Sequence, residues 1–188
     1  TRIIMKKLLF ALLIVGGIVG LGYLALQAIK MNTKKYSPEE VAVYPQKGDP
    51  MIRVDYCQPS KKGRVIFGEQ GLVPYDVVWR TGANEATLIK FSQDVEVGGK
   101  HLEKGQYSLF TIPNEQEWMV IFNQETGQWG TQYSPDEDIL RVKAEVAQTG
   151  NPVEVFTISF GREDSDTVMM LLTWDKTQAR LPITFLSE

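Results

Sequence analysis

Five residues of this 188-residue chain have types and spacing that suit chemistry: Tyr75, Trp79, Arg80, Asn84 and Glu85. They fall in the glycine-rich stretch from Gly63 to Thr87, GRVIFGEQGLVPYDVVWRTGANEAT. Arg80 follows Trp79 in an expected strand, so the two side chains point to opposite faces. Glu85 lies across the Gly82 turn, within reach of Arg80. The plainer chemistry is structural, with an Arg80–Glu85 pair and the Asn84 amide bracing a tight turn. The alternative is a pocket for a small polar ligand, a sugar or a peptide. Trp79 and Tyr75 would wall it, and Arg80, Asn84 and Glu85 would make the contacts. Hydrolysis by paired carboxylates would need Asp76 or Asp94 brought beside Glu85, and the spacing does not require it.

Other reactive constellations are hard to assemble. The chain has one cysteine, Cys57, and one histidine, His101, far apart in sequence. A zinc site needs three or four ligands and a serine triad needs a histidine near a nucleophile elbow, so neither is expected. No glycine loop leads into a helix in the way that cradles phosphate. Cys57 reads as a small buried strand residue and His101 as an exposed residue flanking a turn. Asp136, Glu137 and Asp138 read as a solvated acidic turn, since no calcium-loop pattern accompanies them. The expectation is a chain with no catalytic residue, metal or cofactor.

These residues need a scaffold, and the chain divides into two parts that supply it. Leu8 to Ile29 is a run of 22 residues without a charge. As a helix it is about 33 Å long, enough to cross a hydrocarbon core of about 30 Å. A cleavable signal would be shorter and end in a small-x-small site, and the candidates near the end of the run fail, Ala28 having Leu26 and Ala25 having Tyr23 two residues before, so an uncleaved anchor is the better reading. Gly16, Gly17 and Gly20 are its helix-packing candidates, with Gly22 nearby; the Gly16-x-x-x-Gly20 pair permits close approach of another helix. Basic residues flank both ends, so charge alone barely decides orientation. A short leading tail held in the cytoplasm would put the domain in the periplasm, with the anchor in the inner membrane. Of 20 basic residues six precede Tyr36, leaving 14 against all 23 acids, a formal charge of −9 for residues 36–188. That balance excludes nucleic acid as a partner.

We expect residues 1–30 to form the anchor and 31–50 a tether. Within it Ser37-Pro38-Glu39-Glu40 has the form of a capped helix start. Residues 51–188 read as the β-domain. Runs at 53–56, 77–80, 86–91, 106–112, 118–122, 140–146, 153–160, 167–174 and 181–185 have strand character, and Gly98-Gly99 marks a hairpin over 94–102. Polar residues 161–166 form a loop, and Pro182 implies an edge strand. The fold class is all-β: an antiparallel β-sandwich or open barrel of about nine or ten strands, preceded by one transmembrane helix.

Five pieces of the chain, VDYCQPSKKGRVIFG, GLVPYDVVWRTGANEATLIKFSQDVEVGG, LEKGQYSLFTIP, EWMVIFNQETGQWG and LLTWDKTQARLPI, run in order from Val54 to Ile183. In these the chain resembles the bacterial domain-of-unknown-function family DUF2911. The resemblance implies an exported protein and carries no reaction with it. The chain departs from the family pattern at Cys57, where serine is expected, and in its long glycine-rich anchor. The leading expectation is a non-catalytic accessory subunit whose partners are transmembrane helices and extramembrane surfaces of a membrane complex.

Overall fold

The computed structural model describes residues 2–164 and 166–186, and the chain forms two compact units, 1–36 and 37–188. Residue 1 of the expected anchor, residue 165 of the expected 161–166 loop and residues 187–188 lie outside the described residues.

The first unit is helix α1, Arg2–Tyr36. It runs past the expected end of the anchor, because nothing between Lys30 and Tyr36 breaks a helix. Lys34 and Lys35 occupy its last turn, where cations complement the helix dipole. Pro38 then disfavours helical geometry at Ser37. The segment Leu12–Tyr36 is long and apolar enough to cross a membrane, a property that signal sequences share.

The second unit is one nine-stranded antiparallel sheet. Its strands are β1 (Glu39–Tyr44), β2 (Ile52–Cys57), β3 (Thr87–Phe91), β4 (Val95–Val97), β5 (Lys100–Leu102), β6 (Gly105–Ile112), β7 (Glu117–Asn123), β8 (Asp138–Arg162) and β9 (Thr167–Phe185). Their order across the sheet is β1-β2-β3-β6-β7-β8-β9-β4-β5. Residues from both ends of that order, such as Ile52 and Val54 of β2 and Val97 and Leu102 of β4 and β5, share one core. Beyond β2 the chain bridges the second half of β8, Ser60 pairing with Val155. The Lys61 amide donates to the Glu154 carbonyl at 2.7 Å, and the Phe156 amide to the Pro59 carbonyl at 3.0 Å. On β6, Tyr107 and Leu109 face this main core while Phe110 joins a smaller cluster with Ala86 and Ile121. Both faces of β6 and β7 are therefore covered, which is why Trp118 to Phe122 is continuously apolar.

Four local expectations are corrected. Residues 39–44 form β1 instead of a short capped helix. Val41, Val43 and Tyr44 favour a strand, and β2 offers six paired positions from Glu39↔Cys57 to Tyr44↔Ile52. Ala42 and Tyr44 turn toward the core at period two. Residues 77–80 form no strand; Trp79 makes a single bridge to Thr111. Left-handed backbone at Asp76 (φ 60°) and Thr81 (φ 54°) confines the extended stretch. The runs at 140–146 and 153–160 merge into β8, and those at 167–174 and 181–185 into β9. The gap expected between 146 and 153 survives as register shifts between Gln148 and Val153 and between Val153 and Thr157. Pro182 sits on an interior strand. It follows the last β8 pairing, Glu145↔Arg180, so no ladder partner calls for its missing N–H, and its carbonyl accepts the Gly98 amide at 2.9 Å. The hairpin at 94–102 forms as expected, with Gly98 and Gly99 both at positive φ.

Candidate functional site: the signature loop and an adjoining cavity

The loop from Trp79 to Thr87 is assembled on the end of β2 and on β6. Trp79 packs its ring among Phe67, Trp118, Phe156 and Trp174, with centroids 4.9–6.2 Å away. Its indole N–H donates to the Gly82 carbonyl at 3.1 Å. The ring is thus partly buried and packs against the main core. Thr81 is fully buried and left-handed, an outlier for a β-branched residue. Its hydroxyl donates to the Thr111 hydroxyl (3.1 Å), and its carbonyl accepts the Thr87 hydroxyl (2.8 Å), which holds the strained backbone in place. A side chain on Gly82 would meet the Cys57 carbonyl at 2.9 Å, so this turn needs glycine.

Asn84 is left-handed at φ 61°, and its amide donates to the carbonyl of Ser37, the first residue of this unit, at 3.3 Å. A strap of residues 128–130, which the sequence reading did not single out, completes the loop. Glu85 bridges Trp129, the Ala86 amide donates to the Gln128 carbonyl (3.2 Å), and the Gly130 amide donates to the Asn84 carbonyl (3.0 Å). The one signal for the strap was its place in EWMVIFNQETGQWG, one of the pieces that carry the family resemblance.

Arg80 lies flat across Gly130. A Cβ built there would overlap Arg80 Cδ, and would sit 2.8 Å from the Asn84 carbonyl oxygen and 2.9 Å from Arg80 Cβ. Burial lowers the Arg80 pKa, the nearby Cys57 thiol working in the opposite direction. Arg80 Nε is buried without a hydrogen-bond partner, and no carboxylate lies within ion-pairing distance of this guanidinium among the described residues. The expected Arg80–Glu85 pair does not form. Glu85 instead lies beside Cys57, whose Sγ is 3.8 Å from Glu85 Oε2. Cys57 is buried at the end of β2 and forms no disulfide.

Tyr75 belongs elsewhere. It lines a cavity of about 290 Å³ with Asn114, Glu115, Val146, Gln148 and Thr177. The five expected ligand contacts are therefore divided: Tyr75 faces a cavity, and Trp79, Arg80, Asn84 and Glu85 build the loop. Asp138, expected in a solvated acidic turn, is instead the centre of a network. It accepts from Tyr133 Oη (2.6 Å), Asn123 Nδ2 (2.8 Å) and Arg141 Nε (2.8 Å). Ser134, which precedes the short helical turn Pro135–Glu137, makes no side-chain cap and donates its hydroxyl to Glu125 at 2.8 Å. Among the described residues, no group of three or more His, Cys, Asp or Glu side chains could hold a metal ion.

The family model described as "Protein of unknown function (DUF2911)" matches residues 37–183, from the residue that Asn84 holds to a point near the end of β9. The chain belongs to the DUF2911 family. No curated protein and no solved structure matches it. The DUF2911 match begins where helix α1 ends and takes in the loop, the strap and every residue of the cavity. Helix α1 lies outside it.

Proposed function

We propose that this chain is a membrane-anchored DUF2911 domain, held in the inner membrane by α1 with the domain in the periplasm. It acts there as a non-catalytic accessory subunit of a larger membrane complex. One observation carries the anchor. Leu12, Leu13, Ile14 and Val15 are consecutive and all exposed. At about 100° per residue they sweep the full circumference of the helix, so α1 has no polar face of the kind an interfacial helix shows. Hydrocarbon on all sides satisfies such a surface.

Support for an accessory role comes from both units. The backbone of α1 is bare at Gly16, Gly17, Gly20 and Gly22, where an added Cβ would meet no atom within 4 Å. A neighbouring transmembrane helix can approach closely there. In the domain, the polar groups of Thr81, Asn84 and Thr87 go to backbone and buried hydroxyl partners, which suits scaffolding better than turnover. The acidic balance of residues 36–188 keeps the domain off anionic lipid and favours a basic protein surface as its dock. The test is co-purification in mild detergent. The double substitution Gly16→Leu, Gly20→Leu should strip partner proteins from the chain while the domain's thermal unfolding stays unchanged. Partners retained in full by the double variant would overturn the proposal.

A further inference from the structure

The geometry points to the cavity beside Tyr75 as a binding site for one ring of a neutral, hydroxyl-rich ligand, of the saccharide class. The inference goes beyond the anchoring role and does not depend on it. The cavity, about 290 Å³, is near the lower end of small-molecule pockets, which begin at about 300 Å³, so it suits a single ring.

Its walls are held in place from behind. Asp76, left-handed at φ 60°, receives its backbone bond from the chain opposite, its amide donating to the Pro113 carbonyl at 2.9 Å. Asn114 Nδ2 donates to Asp76 Oδ1 at 2.8 Å. These two bonds clamp the Tyr75 loop to the loop carrying Asn114 and Glu115. The Tyr75 ring rests over Gly68, whose built Cβ would lie 3.9 Å from it. The opposite wall is the irregular part of the β8–β9 hairpin. Gln148 and Thr177 are directly paired there, and Val146 lies two residues from Gln148 on the same face. Fixed loops facing a bulged hairpin make a preorganised site.

The chemistry of the lining selects the ligand. Tyr75, Glu115, Gln148 and Thr177 bring a phenol, a carboxylate, an amide and a hydroxyl to one space. These groups both donate and accept, as a polyol requires. Tyr75 and Val146 add an aromatic face and an aliphatic patch for the C–H surface of a ring. Lys, Arg and His are missing from this lining, so an anion would meet Glu115 with no counter-charge. A metal cation draws on six or more oxygens in a calcium site, and Glu115 is the single carboxylate in the lining. Burial and the adjacent Glu115 raise the Tyr75 pKa, keeping the phenol neutral and able to donate.

Saturation-transfer NMR on the full chain in a zwitterionic, sugar-free detergent tests this, with glucose, galactose and N-acetylglucosamine as neutral probes and glucuronate as the anionic one. At least one neutral sugar should bind, and glucuronate should bind about tenfold more weakly. Tyr75→Ala and Gln148→Ala should each weaken the neutral sugar by about tenfold with thermal unfolding unchanged. Glu115 is exposed, so Glu115→Gln leaves folding intact, and it should narrow the gap between glucuronate and the neutral sugar. Three results would each overturn the inference: no transfer to any neutral sugar, transfer undiminished in Tyr75→Ala and Gln148→Ala, or a glucuronate gap that Glu115→Gln leaves untouched.

Discussion

Arg80 carries its charge across the α-carbon of Gly130, and the fit has no slack. Neighbours on that side are the Asn84 carbonyl and the guanidinium's own stem, so an added methyl group must displace one of them. Gly130→Ala should therefore destabilise the domain by about 1–3 kcal/mol, the range for forcing extra volume into a packed site. Gly150→Ala, with no atom within 4 Å of the new carbon, should stay within about 0.5 kcal/mol. Urea unfolding followed by tryptophan fluorescence measures both. Equal midpoints for the two variants would show that Arg80 is free to move aside. Glu85 was the natural partner for Arg80 on sequence spacing, since only four residues, one of them a glycine, separate them. Spacing alone could not show that the Arg80 stem is drawn to Gly130, because the strap that supplies it comes 50 residues later.

At the scale of elements, the turn between β7 and β8 is organised by a tyrosine and an aspartate. Burial first, and then the hydrogen bond to Asp138, push the Tyr133 phenol from its ordinary value of 10.0 up to about 12. The folded chain thus holds this proton after the unfolded chain has released it. Stability must fall as pH rises through that interval and be unaffected by Tyr133 below it. Alkaline unfolding curves of wild type and Tyr133→Phe should converge in slope below pH 10 and separate above it, the wild type losing stability faster; parallel curves throughout would count against the shift. Where local chemistry dictated an element, the sequence was readable. Two glycines forced the 98–99 turn, alternation marked β2 and the start of β8, and the apolar run marked β7. Local signals misled where a partner strand decided. Ser37-Pro38-Glu39-Glu40 carries the local signals of a helix cap, yet the open edge of β2 draws Glu39 and the residues after it into a strand. The runs at 140–146 and 153–160 read as separate strands, and the β9 ladder on either side turns the gap between them into register shifts within one strand. The cavity drew its lining from four separate stretches of chain, and only Tyr75 among them stood out beforehand.

For the whole molecule, two units of opposite character share one chain. Helix α1 exposes apolar side chains all round, whereas the domain buries Trp118, Trp174, Phe91, Phe110, Phe122 and Phe156 almost completely. Lipid should satisfy the first unit and water the second. On alkaline carbonate washing of cell membranes, the full chain should stay in the pellet, and a chain lacking residues 2–36 should move to the soluble fraction. Release of the full chain by carbonate would remove the anchor from the account. The acidic and basic residues follow the same division, all six basic residues before Tyr36 lying in the apolar unit without an acid among them.

The bond from Asn84 to the Ser37 carbonyl gives the signature loop a mechanical position. Ser37 is the first residue after α1, and the next tie, from the Gln58 amide to the Pro38 carbonyl at 2.8 Å, lies one residue further on. Any pull transmitted along the backbone from the helix reaches these two bonds before it loads the β1–β2 ladder. The strained turn at Thr81 through Asn84 then serves as a cleat for the start of the domain.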